Sequence, residues 1–369
     1  MINFELDDEQ KLIRETVIAF ARDEIRPHAR EADEKGSVPA ALLQRGWDLG
    51  LVQNMIPEEY GGFGTEHSAL TGAVIAEELA YGDLAIATHL LAPRLLTVPL
   101  LEFGSTELKS RLLPAFCGES FEPGSAAVVE PRFDFDPAAP ATTLRREGDD
   151  YVVSGAKCYV PLGAQAKHLL VLAGLTNGDG AVHPQAIVVA RDTPGLRVGE
   201  REKNMGLKAL ETTTLDLDAC RVPRDQVLAV GDQAAMRRLA NLWRVGVSAM
   251  AVGVARAAYD YAREYAKERR AFGQAIGQKQ AIAFMLAEMA MEVDAMRLLV
   301  WEAAWKLDRH EDATREAYLA RRYTSDVTLR IADNALQVLG GHGYIRDHMV
   351  ELFLRNARGF ATLEGLAIA

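Results

Sequence analysis

The sequence predicts an α+β protein in three regions: an N-terminal helical domain at 1–118, a middle β domain at 119–233, and a C-terminal bundle of the four-helix type at 234–369. Three observations predict it. Apolar residues recur at helical spacing up to about residue 118, switch to short β-branched, near-alternating runs, then return to helical spacing. Turn clusters, not helices, separate the β-type runs, which suits an antiparallel barrel or sandwich. A length of 369 residues accommodates two or three domains.

In the first region Leu12, Ile13, Val17, Ile18 and Phe20 share helical spacing, with Arg14, Glu15 and Arg22 between them. Another helix starts at Ala40, and Pro57-Glu-Glu-Tyr-Gly-Gly-Phe-Gly is a glycine-rich break. Helices are expected over 70–81, 84–101 and 106–116. In the middle region the strands begin at Tyr151, His168, Gln185 and Thr212, with turns at Glu147-Gly-Asp-Asp, Thr176-Asn-Gly-Asp-Gly and Thr193-Pro-Gly. The third region predicts long helices over 234–266, 278–307 and 312–339, the last broken by Gly340-Gly-His-Gly. The stretch from Ile282 to Met291 is apolar almost all round and reads as a buried bundle helix. So much of 279–305 is apolar that one bundle should not cover it all, so a dimer or tetramer is expected.

Composition narrows the function. The net charge of −11 argues against general nucleic-acid binding and against a polybasic membrane anchor, though not against a phosphate-bearing ligand. No apolar window is long enough to predict a membrane-spanning helix, and the acidic N-terminus does not resemble a signal peptide. Cys117, Cys158 and Cys220 are scattered without a CxxC, so a cytoplasmic, reduced protein without a disulfide framework or metal is expected.

Few residues carry chemistry on their own. His310, His342 and His348 lack a metal-binding spacing, and Ser125 and Ser154 lack the GxSxG turn. Gly340-Gly-His-Gly lacks the GxGxxG pattern and reads alone as a helix cap, although such a turn also lets a backbone approach a ligand. Arg269-Arg-Ala-Phe-Gly follows a helix end. Paired arginines beside an aromatic suit a pyrophosphate with a flat ring, or else a solvated basic end. Glu364 lies in the apolar run Phe360-Ala-Thr-Leu-Glu-Gly-Leu-Ala-Ile. A desolvated carboxylate there would be a stronger base, and an exposed tail residue is the alternative.

Taken in order, several motifs resemble the acyl-CoA dehydrogenase family over nearly the whole chain, most like its medium-chain members. They are Pro57-Glu-Glu-Tyr-Gly-Gly, Phe103-Gly-Ser-Thr-Glu-Leu-Lys, Asn204-Met-Gly-Leu-Lys-Ala with Arg221-Val-Pro, Glu268-Arg-Arg-Ala-Phe-Gly, Gln280-Ala-Ile-Ala-Phe-Met-Leu-Ala-Glu-Met-Ala and Leu336-Gln-Val-Leu-Gly-Gly-His-Gly-Tyr. The resemblance implies FAD-dependent α,β-dehydrogenation of an acyl-CoA, as in fatty-acid or acyl-CoA catabolism, with electrons passing to an electron-transfer flavoprotein. It places the base at Glu364 and the substrate beside Arg244 and Gly365. Some relatives carry the base at the position of Trp243, which cannot serve. The resemblance assigns Arg269, Phe272, Gln280, Gln337, Val338, Leu339, Gly340 and Gly341 to the ADP half of a neighbouring subunit's FAD. Hence a homotetramer or heterotetramer is implied.

The flavin-ring segments depart from the family pattern. Val129-Glu-Pro-Arg-Phe-Asp-Phe-Asp136 stands where the family has Thr-Glu-Pro-x-Ala-Gly-Ser-Asp. Tyr159-Val-Pro-Leu-Gly163 stands for Trp/Phe-Ile-Thr/Ser-Asn-Gly, so Pro161 replaces a hydrogen-bonding residue. Three readings follow: a dehydrogenase acting with its own base, with Val129 and Tyr159 against the flavin; a partner subunit of a heteromeric dehydrogenase; or a non-redox acyl-CoA-binding relative.

Overall fold

A computed structural model describes residues 5–64, 67–176, 182–360 and 363. The first region holds α1 (Asp8–Phe20), α2 (Arg26–Lys35), α3 (Ala40–Asp48), α4 (Ala69–Gly82), α5 (Leu84–Leu91), α6 (Arg94–Phe103) and α7 (Thr106–Leu112). Short polar side chains start several of these helices. The Asp7 carboxylate accepts the Gln10 N–H, and the Gln10 side chain accepts the Asp7 N–H in return. Where the sequence suggests one helix over 84–101, the chain bends by 45° between α5 and α6. Pro93 has no N–H to continue α5, and buried Arg94 donates to the Leu51 carbonyl at 2.6 Å. The helix expected over 106–116 tightens after Leu112 into a 3₁₀ turn, Leu113–Cys117.

The middle region is a curled sheet of β1 (Ser125–Ala127), β2 (Thr143–Glu147), β3 (Asp150–Pro161), β4 (His168–Thr176), β5 (Val182–Ala190), β6 (Leu196–Arg201) and β7 (Thr212–Pro223). The order is β1-β4-β2-β3-β7-β6, with β5 also on β4. An all-antiparallel sheet is expected from the sequence, yet β1 and β2 run parallel to β4. The reason is local. Both are short, and they meet opposite ends of β4 through the long loop that contains Val129–Asp136. No crossover helix intervenes. Strand β4 is buried on both faces, which explains its unbroken apolar run. Leu169, Val171 and Ala173 face the core inside the curl, whereas Leu170 and Leu172 join the core shared with the helices.

The third region holds α8 (Gln233–Glu268), a hairpin of β8 (Arg270–Ala271) and β9 (Gln274–Ala275), then α9 (Gln280–Asp308), α10 (Thr314–Leu339), α11 (Gly341–Tyr344) and α12 (Val350–Gly359). Helix α8 presses on α4 so closely that a Cβ at Gly253 would lie 2.2 Å from the Glu77 carbonyl oxygen. Buried carboxylates beside this contact are matched. Glu77 binds Arg256 (2.9 Å) and Arg297 (2.8 Å), and Glu78 binds Arg256 and Arg14.

Helix α9 corrects one expectation. It is not buried all round. Phe284 (58%), Met291 (64%) and Leu298 (45%) are exposed at seven-residue intervals, an apolar stripe along the outside of the helix. Only its other face, with Met289, Val293, Met296 and Val300, meets the core. The stripe is about 20 Å long at 1.5 Å per residue. Light scattering at micromolar concentration should therefore show a dimer or tetramer, and Met291→Arg should shift it to a smaller species. A stable monomer in the unmutated chain would contradict this.

Two buried groups should shape the pH dependence of stability, with opposite signs. Burial pulls the His89 imidazole down to about 4. Its folded value lies below the unfolded one, so the unfolded chain binds the extra proton. This stability is complete above the unfolded value and is lost as pH falls from about 6.5 to 4, by roughly 3 kcal/mol. Burial raises the Asp83 carboxyl to about 6. That contribution is full below about 4 and fades as pH rises through 6. Urea titrations of His89→Leu should lose the first slope and keep the second. An unchanged slope between pH 6.5 and 4 would refute the assignment.

Candidate active site

One end of the C-terminal bundle gathers most of the nucleotide candidates. After α8, the turn of the β8–β9 hairpin has φ 53° at Phe272 and 82° at Gly273. Two positive φ values define a tight type I′ connection, and it thrusts Phe272 outward, 94% exposed, with the Lys279 ammonium 5.7 Å from its ring. Arg269 caps α8 and Gln280 opens α9, and both are exposed. The far end of α10 returns to the same place. The Tyr265 hydroxyl meets His342 Nδ1 at 2.7 Å, joining α8 to α11 just after Gly340 and Gly341. Gly340 has φ 56° and ψ −130°, and a Cβ on either glycine would meet nothing within 4 Å. Gln337 is exposed beside them, but Val338 and Leu339 are each 4% exposed and turn into the core. Those two offer a ligand only their backbone. His342 and His348, whose spacing gave no metal-binding signal, stack at 5.3 Å, and the Tyr261 hydroxyl meets His348 at 2.9 Å. The exposed guanidinium, amides, ring and open glycine backbone fit a nucleotide diphosphate.

The β-region segment is arranged differently. The Val129 carbonyl accepts the Cys158 N–H at 3.0 Å. Tyr159, at φ 52° and 37% exposed, gives its N–H to Glu202 Oε1 at 3.1 Å. Leu162 donates to the Glu211 carbonyl at 2.9 Å. Pro161 has no N–H, and its carbonyl accepts the Ser125 hydroxyl at 2.6 Å. The N–H groups of Cys158, Tyr159 and Leu162 are thus engaged within the chain. The bundle end fits the ADP half of a flavin dinucleotide, but this segment does not fit the ring edge as a row of free donors.

A buried ion pair holds the loop in front of this segment. Lys157 is fully buried and its Nζ reaches Glu130 Oε1 at 3.0 Å and the Val128 carbonyl at 3.1 Å. Glu130 also accepts the N–H groups of Ala141 (2.8 Å) and Thr142 (2.7 Å). Burial pushes the Glu130 carboxyl up, but these N–H groups and Lys157 outweigh it and hold it at about 2. Burial pulls Lys157 down to about 8, against the opposing pull of Glu130, so both are charged at pH 7.

The loop continues into a cleft of about 480 Å³ between the β region and α8. Asp136, Pro137 and Ala138 form one wall, Val182, His183 and Pro184 of β5 another, and Met236, Arg237, Ala240 and Arg244 of α8 the third. Met236, Ala240 and Arg244 recur every four residues on one ridge. Arg244 lies 3.4 Å from Asn241 Oδ1 and 6.0 Å from the Tyr318 ring. Among the described residues, no carboxylate lies within 4 Å of Arg244 or Arg237. The sequence named Arg244 and gave no signal for Arg237, which stands beside Met236 on the cleft wall. Trp243 points inward, 2% exposed. Glu364 and Gly365 lie outside the described residues. The chain just before them is anchored, with Phe360 2% and Leu363 3% exposed and the Leu363 N–H on the Phe360 carbonyl at 3.1 Å.

Helical, β and helical regions follow one another in the order that the sequence motifs imply. Family models match in chain order. The acyl-CoA dehydrogenase N-terminal domain covers residues 7–120, the middle domain 125–220 and the C-terminal domain 231–367. The chain belongs to the acyl-CoA dehydrogenase family. It is 36% identical over 368 residues to a protein described as a probable acyl-CoA dehydrogenase, YngJ, of Bacillus subtilis, covering 99% of this chain and 96% of that one. Among solved structures, butyryl-CoA dehydrogenase from Megasphaera elsdenii matches with a TM-score of 0.89 and 30% identity, covering 99% and 97% of the two chains. A chain from the electron transferring flavoprotein structure of Acidaminococcus fermentans matches at 0.86 and 30%, covering 97% and 94%.

Proposed function

We propose that the protein catalyses FAD-dependent α,β-dehydrogenation of an acyl-CoA thioester to the enoyl-CoA. The observation that carries this is the intact bundle end: Arg269, Phe272, Gln280 and Gln337 stand exposed around the open backbone of Gly340 and Gly341. In this reading Arg269 and Gln337 hold the pyrophosphate and ribose of a neighbouring subunit's FAD, and Phe272 covers its adenine. Bound FAD supplies the hydride acceptor. The cleft along Arg244 and Arg237 receives the CoA ester, whose phosphates answer the two guanidinium groups, neither of which has a carboxylate within 4 Å among the described residues. Glu364 takes the α-proton of the acyl group, and Gly365 borders the substrate. An electron-transfer flavoprotein removes the electrons. Anaerobic addition of short- to medium-chain acyl-CoA esters to the FAD-loaded protein tests the reading. Loss of the oxidised flavin band supports it, and an unchanged band with every ester opposes it.

A second reading rests on the engaged N–H groups of Cys158, Tyr159 and Leu162 together with Pro161. The chain would then be the partner subunit of a heteromeric dehydrogenase, lending its bundle end to another chain's flavin. With Pro161 and Phe135 in place of hydrogen-bonding residues, two absent ring-edge hydrogen bonds, each about 1–3 kcal/mol, would weaken FAD binding to the lone chain by roughly a hundredfold or more. Gel filtration without added FAD should therefore strip the lone chain of flavin. Stoichiometric retention would favour the first reading.

A further inference from the structure

The segment that leads to Glu364 leaves from the end of α12, and that end is held by side chains of the first region and backbone groups of the β region. Asn356, 2% exposed, uses both ends of its amide. Its Oδ1 accepts the Leu207 N–H at 2.8 Å, and its Nδ2 donates to Asp83 Oδ2 at 3.0 Å. Asp83 is itself 5% exposed, and its other oxygen caps α5 at the Ile86 N–H, 3.0 Å away. Leu207 belongs to the Asn204-Met-Gly-Leu-Lys-Ala loop and has φ 55°, a left-handed conformation that costs free energy in a non-glycine residue. The neighbouring Arg355 binds both oxygens of buried Asp33 on α2, at 2.8 and 2.9 Å, and donates to the Met205 carbonyl at 3.2 Å. The contact is close: a Cβ on Gly206 would lie 2.1 Å from the Arg355 carbonyl oxygen.

We infer that Asn356 is a positioning residue for proton abstraction: its amide clasps Leu207 of the β region and Asp83 of the first helical region, fixing the helix end from which the Glu364 segment departs. Only an amide fills this place as it stands. A carboxylate can accept from Leu207, but it cannot donate to Asp83 and would set two carboxylates face to face. A leucine keeps the volume and loses both bonds. Helix α12 is thereby tied at one point to the first helical region and to the β region, which forms two walls of the cleft. The inference rests on the reading of Glu364 as the base, and it adds what holds that base in register.

The test is an exchange of partners. Asn356→Asp alone should slow exchange of the acyl-CoA α-proton with deuterated water at least tenfold, with acyl-CoA affinity changed less than threefold. It should also speed amide hydrogen exchange in the peptide that follows Asn356. The double variant Asp83→Asn, Asn356→Asp restores all three bonds, with donor and acceptor reversed between residues 83 and 356 alone and the Leu207 and Ile86 N–H groups still donating, and should bring both rates to within about threefold of the starting protein. The inference fails if amide exchange in that peptide is unchanged by Asn356→Asp. It also fails if the double variant folds but recovers neither rate, or if turnover falls only in proportion to the unfolded fraction. Absence of α-proton exchange in the unmutated protein would instead refute Glu364 as its base, and amide exchange would still decide whether Asn356 holds the segment.

Discussion

Glu364→Gln is expected to reduce exchange of the substrate α-proton by about 10²–10⁴-fold, the usual cost of removing a general base. The amide keeps the shape of the carboxylate but cannot take a proton at neutral pH. Folding and acyl-CoA binding should change little, because the surrounding apolar run and the anchors at Phe360 and Leu363 remain. The assay reads proton transfer directly and does not depend on how strongly the ring is held. Unchanged exchange would remove Glu364 from the mechanism, and Trp243 cannot take its place.

The second large effect is structural. Lys157→Met should destabilise the protein by about 3–5 kcal/mol at pH 7, because Glu130 would be left as a buried charge without its main cation. Arg132, with its Nε 3.3 Å from the other Glu130 oxygen, is the only other cation within ion-pair distance of Glu130 among the described residues. The double variant Glu130→Gln, Lys157→Met should recover part of the loss, since no buried charge then remains. Urea unfolding of the two single variants and the double variant gives the coupling directly. A loss below about 1 kcal/mol for Lys157→Met would show that Arg132 suffices. The same variant should weaken acyl-CoA binding, because the loop anchored by Glu130 continues into the Asp136–Ala138 wall of the cleft.

The change of hydrophobic period made the three regions legible, because helices and strands expose one face at different repeats. The Gly340 break was legible for a related reason, whereas the Phe272 turn reads only as a basic helix end. Glycine at a positive φ leaves a mark that needs no tertiary knowledge. Other features were not local. The break at Pro93 is fixed by Arg94 reaching the Leu51 carbonyl, a contact 43 residues away. The outward stripe on α9 cannot be told from an inward one by periodicity, since both faces are apolar and the packing against α4, α8 and α10 decides. Asn356 reads as an ordinary helix residue. Its importance comes from Leu207 and Asp83, 149 and 273 residues distant. Val338 and Leu339 illustrate the reverse limit. A motif places them at a ligand, and the helix turn sends their side chains into the core.

The central claim is that the exposed end of the C-terminal bundle forms part of an FAD site. Equilibrium dialysis of the purified oligomer against FAD tests it most directly, in parallel with Arg269→Ala and with Gln337→Ala. Saturation at one FAD per chain is predicted, with affinity falling at least tenfold in each variant while light scattering shows the same oligomer. FAD binding that does not saturate, or that saturates with the same affinity in both variants, would contradict it.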